Sequence, residues 1–280
     1  MLTSMFLTDR FAFLHIPKTG GTFVHFHLRR IYARTLFRKL IHSLRSKCGI
    51  CVPFMQYSYA ELPKHTIRRT VACLRKDLPI VLCIRNPFDV YVSQFRFRWW
   101  EQFPDRWFTH LERVRAEFGE LSKFSFETFV EATLRYSHWT ETVKSSRRCI
   151  GPLSAEWLRY FVREPNDCLR CTSDEDLLRQ VQEELKSVTI LRTENLQVDL
   201  CNFLGSVGVD SQSLEAIRTA NRIFPGLPTR VPNDSFHDYF SDDLAKKVSE
   251  TEWPIFNLFL EYPAQIDRRG KKADEGDIFG

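Results

Sequence analysis

Hydrophobic and polar residues alternate between two periods along this chain, and the switches between them divide it into elements. Phe11 to His15 is dense in aromatic and aliphatic side chains, short enough for a buried strand, and stopped by Pro17. After a Pro-Lys-Thr-Gly-Gly-Thr turn, Val24, Leu28, Ile31 and Leu36 recur at helical spacing, which predicts a basic helix over 23–47 with Gly49 as its stop. A second strand is expected within 52–59, then a polar link over Ala60 to His65 and a helix from Thr66 to Lys76. Pro79 to Arg85, PIVLCIR, is the clearest buried strand. Pro87 and Asp89 mark the start of the helix that follows it. Downstream, Ser125 opens a helix as a partial capping box, and Ser173 or Asp174 caps another over 175–186. A short strand follows at Val188 to Arg192, then a helix over 198–207 and two more from Ser241 to Tyr262. Strands alternating with helices in this order predict an α/β fold with a mainly parallel sheet.

Composition narrows the class. A chain of 280 residues, 43% hydrophobic and 27% charged, suits one folded domain over 1–266 followed by a charged, disordered tail over 267–280. It has no apolar run long enough for a membrane span, and its first strand leaves no room for a signal peptide ahead of the glycine turn. The expected location is therefore cytoplasmic. Charge is distributed unevenly: between Thr22 and Asp77 there are twelve Lys and Arg against the single acid Glu61, and the segment from Asp77 onward is acidic. Such a local positive field suits a multiply charged anion. It would also suit nucleic acid, but that reading rests on the basic helix alone and nucleic acid is not an expected partner. Cys48 with Cys51 and Cys168 with Cys171 have Cys-x-x-Cys spacing, yet they lie over a hundred residues apart without glycine-rich knuckles, so zinc is not the favoured reading. His25 and His27 diverge by about 200° on a helix and cannot share a metal.

The glycine turn carries the chemistry. Gly20 and Gly21 let backbone approach an oxyanion, and the first N–H groups of the helix meet it unsatisfied, with the helix dipole aligned. Lys18 adds a full positive charge. The run His15 to Thr22, HIPKTGGT, lacks the Gly-x4-Gly-Lys-Ser/Thr order of nucleoside triphosphatases. It resembles instead the 5′-phosphosulfate loop of sulfotransferases that use 3′-phosphoadenosine 5′-phosphosulfate (PAPS), in the form of the carbohydrate, heparan-sulfate-type branch. Arg85 at a strand end, with Ser93 eight residues later on a helix, resembles the same family's 3′-phosphate loop.

That resemblance implies a P-loop-like sulfotransferase fold and transfer of a sulfuryl group from PAPS to an acceptor hydroxyl, with a carbohydrate as the favoured acceptor and no metal required. Pro17, Lys18, Thr19, Gly20, Gly21, Thr22, Arg85 and Ser93 would bind the donor. Lys18 would also be catalytic, and His65, then Glu61, are the candidate general bases, lying in the region ahead of the 3′-phosphate strand that supplies the base in that branch. Two other classes fit parts of the pattern: a non-catalytic nucleotide or acidic-glycan binding module, and a kinase-like P-loop protein.

Overall fold

The computed structural model describes residues 5–32, 59–62, 68, 78–138, 149–171, 173–220 and 236–265. Contacts divide the chain into two compact units. The first comprises Met1–Arg85, Trp157–Cys168 and Arg179–Pro228; the second comprises Asn86–Glu156, Leu169–Leu178 and Thr229–Gly280.

The first unit holds a five-stranded sheet in the order β3-β1-β2-β4-β5, formed by β1 Met5–Thr8, β2 Ala12–Leu14, β3 Tyr59–Leu62, β4 Ile80–Ile84 and β5 Val188–Arg192. β2, β4 and β5 pair in parallel, with Leu14 opposite Leu82 and Ile84 opposite Arg192. β1 runs antiparallel to both β2 and β3, so four of the five strands share one direction. This is the α/β, mainly parallel arrangement the alternating pattern implies. β2 and β4 are buried along their whole length, as apolar strands covered on both faces should be. Phe6 and Phe13 from the sheet, with Phe11 just ahead of β2, meet Val24, Leu28 and Tyr32 from the helix over 21–32 in one core, joined by Leu200 and Leu204 of the helix Leu196–Ser206.

Two expectations need correction. The first strand of the sheet is β1, not the segment starting at Phe11: MFLT was overlooked because it is only four residues long and precedes a tight turn. That turn is held by Thr8, whose hydroxyl accepts from the amides of Arg10 and Phe11. Ala60 to Leu62, read as a polar link, is strand β3, where pairing to β1 outweighs the weak β-propensity of Ala and Glu. Most of the strand expected over 52–59, the helix expected over 66–76 apart from Arg68, and the tail from residue 267 lie outside the described residues.

Arg68 is buried and ties together segments of the first unit. Its guanidinium donates to the carbonyls of Phe161 and Glu184 and to the Ser187 hydroxyl, and it pairs with the Glu184 carboxylate at 2.9 Å.

The second unit is helical and rich in aromatics. The helix Pro87–Phe97 is capped by Asn86, whose side chain accepts from the Phe88 amide at 2.9 Å, with Pro87 opening the first turn. The Ser125 cap of Phe126–Tyr136 and the Ser241 cap of Asp242–Thr251 form as the sequence suggests. The aromatic run from Trp99 to Phe108 divides. Trp100 and Phe108 are core residues, with Trp100 stacked on Phe95 and Phe124, whereas Phe103 is 43% exposed beneath the Arg106 guanidinium. Glu252 is the unit's one fully buried acid among the described residues. It accepts from the Tyr91 hydroxyl at 2.5 Å and from the amides of Leu153 and Ser154 at 3.1 and 2.7 Å, so its carboxyl oxygens cap the first turn of the helix Pro152–Phe161. No helix among the described residues is long and apolar enough to cross a membrane.

Candidate functional site

The turn between β2 and the helix over 21–32 is built from alternating backbone handedness. Lys18 has φ 65° and Gly20 has φ 84°, while Thr19 between them stays in the ordinary half of the map. Such alternation makes successive N–H groups converge into an anion-binding concavity. A left-handed lysine costs about 1–3 kcal/mol and persists only where its surroundings impose it. They do so through Thr19, which is fully buried and donates its hydroxyl to the Ile16 carbonyl at 2.9 Å. The Phe23 amide closes the turn on the Gly20 carbonyl at 2.9 Å, leaving the earlier amides of the helix without intrahelical acceptors.

Each glycine is required for its own reason. At Gly20 the positive φ disfavours a side chain, and a Cβ would also lie 2.7 Å from a Leu196 methyl. At Gly21 the obstacle is steric alone, because a Cβ would lie 2.6 Å from Nδ1 of the buried His15 ring.

Parallel pairing brings three strand ends to one edge. The turn leaves the end of β2, Arg85 leaves the end of β4, and Thr193 leaves the end of β5. The Arg85 guanidinium reaches toward the turn, with Nη1 3.5 Å from the Lys18 carbonyl, the outer limit of a hydrogen bond. The Thr193 hydroxyl lies 2.7 Å from the Thr19 carbonyl and 2.8 Å from the Ile84 carbonyl. Asp199 accepts from the Arg192 amide at 2.8 Å and so fixes the end of β5.

Pro17, Lys18, Thr19, Gly20, Gly21 and Thr22 thus share one turn, and Arg85 approaches it. Ser93 lies half-buried on the second turn of Pro87–Phe97, in the second unit. Glu61 sits on edge strand β3, at the register of Phe6 on β1. His65 is outside the described residues. Thr193 was missed by sequence reasoning, although a threonine directly after a parallel strand was a usable signal. His25 and His27 are packing residues: His25 stands edge-on to Phe6, and burial together with the Arg30 charge lowers the His27 pKa to about 4. Among the described residues no group of three or more His, Cys, Asp or Glu is arranged to hold a metal, and Cys48 and Cys51 lie outside them. A cavity of about 710 Å³ lined by Arg163, Asp167, Arg179, Glu183 and Ser187 lies toward the opposite, amino-terminal end of β5 and shares no residue with the turn.

Residues 10–188 match the family model for a sulfotransferase domain, a stretch that contains the turn and Arg85 and stops short of Thr193. No curated protein and no solved structure gives a match. With more than half its length on that model, and a glycine turn beside an arginine at the carboxyl edge of a mainly parallel sheet, the chain belongs to the sulfotransferase family.

Proposed function

We propose that this protein transfers the sulfuryl group of PAPS to an acceptor hydroxyl, preferentially on a carbohydrate, and releases adenosine 3′,5′-bisphosphate. The supporting observation is the contact between the glycine turn and Arg85 within one unit of a sulfotransferase-family chain, which gives two cationic groups for the two charged ends of one nucleotide. The turn's converging amides suit a phosphosulfate, and the planar fork of Arg85 suits the 3′-phosphate.

Transfer is in line. As the sulfur–oxygen bond lengthens, charge builds on the bridging oxygen of the departing phosphate. Lys18 and the amides of Thr19 to Thr22 absorb it, more strongly in the transition state than before it, and this differential is the main catalytic contribution. A base takes the acceptor proton, worth typically ~10²–10⁴-fold; His65 is the first candidate and Glu61, on β3, the second.

The test is incubation with PAPS and a panel of sugars, following formation of adenosine 3′,5′-bisphosphate. The wild type should form it only with an acceptor present, and Lys18→Ala should abolish transfer. Bisphosphate formation by Lys18→Ala at near wild-type rates would reject the lysine's role, and no formation with any acceptor would reject the reaction.

A further inference from the structure

Thr193 is the first residue after β5, and the two carbonyls it reaches belong to other segments. Thr19 directly follows Lys18, and Ile84 directly precedes Arg85. One side chain therefore ties together the backbone next to each of the two cationic residues, which are 67 positions apart in the chain. A hydroxyl carries one hydrogen, so the two carbonyls share it, and neither gains a replacement donor from a side chain that lacks it. The threonine is itself constrained. A Cβ at Gly20 would lie 3.5 Å from both its hydroxyl oxygen and its methyl, which places the branched side chain in van der Waals range of the turn. Leu196, which opens the helix after Thr193, comes within 2.7 Å of the same Cβ position.

We infer that Thr193 is a positioning residue that sets the separation between the glycine turn and Arg85, and thereby matches the site to a nucleotide charged at both ends. The inference rests on the donor reading given above. Thr193 acts through the protein backbone, by holding the Thr19 and Ile84 carbonyls. Its effect should therefore depend on how many ends of the ligand are held. A ligand gripped only at its 5′ end needs the turn alone, whereas one gripped at both ends needs the turn and Arg85 at a fixed distance. Misplacement is then felt by the second ligand and not by the first.

The experiment uses the full chain and three variants. Thr193→Val removes the hydroxyl at nearly constant shape, Thr193→Ala removes it without bulk and substitutes for valine if that variant does not fold, and Thr193→Ser keeps it. Amide hydrogen exchange is followed across residues 15–22 without ligand, and affinities are measured for adenosine 3′,5′-bisphosphate and adenosine 5′-monophosphate. Loss of the shared hydrogen bond should speed exchange of the turn by about tenfold in the valine and alanine variants and weaken the bisphosphate by about tenfold. The monophosphate should weaken by less than threefold, and serine should stay within threefold of wild type throughout.

Unchanged exchange in the hydroxyl-free variants overturns the inference whatever the protein binds. Equal weakening of both nucleotides, or an equal loss with serine, also overturns it, because that is the pattern of general structural damage. A wild type that holds the bisphosphate no better than the monophosphate overturns the donor reading, and the positioning role falls with it even if exchange responds as expected.

Discussion

Replacing Gly21 by alanine isolates the steric side of the glycine turn. The added Cβ would lie 2.6, 2.8 and 2.9 Å from Nδ1, Cε1 and Cγ of His15, against an ordinary contact beginning at 3.4 Å, a shortfall of roughly 0.8 Å at the closest atom. The ring cannot simply swing clear: His15 is 6% exposed and stands edge-on to Phe13 with centroids 6.4 Å apart. Overpacking of this kind costs about 1–3 kcal/mol, and the gain from placing alanine rather than glycine in a helix, about 0.5–1 kcal/mol, offsets only part of it. A net loss of roughly 1–2 kcal/mol is expected by equilibrium denaturation. Turnover should fall by about 10²-fold under the proposed function, since relief of the overlap shifts the amides assigned there to the phosphosulfate by a comparable fraction of an ångström. The decisive measurement is a double-mutant cycle with His15→Ala. With the ring removed, alanine at 21 should cost under about 0.5 kcal/mol. An identical cost in both backgrounds would refute the steric account.

Two further predictions concern the second unit. Burial pushes the Glu252 carboxyl above the usual carboxylate range, with hydrogen bonds from Tyr91, Ser154 and Leu153 opposing the shift. The native state therefore holds this proton more tightly than the unfolded chain does. Its contribution to stability is complete below the ordinary value of 4.5 and is lost as pH rises through the folded value. Since Glu252→Gln has no proton to lose there, the stability difference, wild type minus variant, should decline with rising pH across that window in denaturation curves; a pH-independent difference would contradict the assignment. Asn86→Ala removes the cap bond to Phe88 and should cost about 1 kcal/mol, within the ~0.5–2 kcal/mol range for such caps, read by the same denaturation. A change below about 0.3 kcal/mol would show that the cap contributes nothing there.

Much of this architecture was legible because local signals and tertiary structure agree. The five apolar residues of β4, the Pro87 start of its following helix, and the serine caps at 125, 173 and 241 all rest on short-range chemistry and appear as read. The turn was legible for the same reason: lysine and two glycines between a strand and a helix have few other uses. What escaped is non-local. β3 exists because β1 pairs with it, which no pattern within Ala60 to Leu62 encodes. Asn86 was passed over in favour of Asp89, although the residue before an N1 proline is the one positioned to cap. Thr193 acquires its meaning from carbonyls 174 and 109 residues away, a relation that chain order alone does not reveal. The split of Trp100 from Phe103, one enclosed and one outward, likewise follows from packing and not from composition.

The long reach of Thr193 has a consequence for biosynthesis. Translation proceeds at about 5–20 residues per second, so roughly 170 residues and some 10–35 seconds separate emergence of the lysine–glycine segment from emergence of the threonine that braces it. Until β5 arrives at its place beside β4, the nascent turn lacks the Thr193 hydroxyl that its Thr19 carbonyl accepts from. Completion of this edge of the sheet is thus a late event in the life of each molecule, timed by the arrival of β5 and not by the lysine–glycine motif.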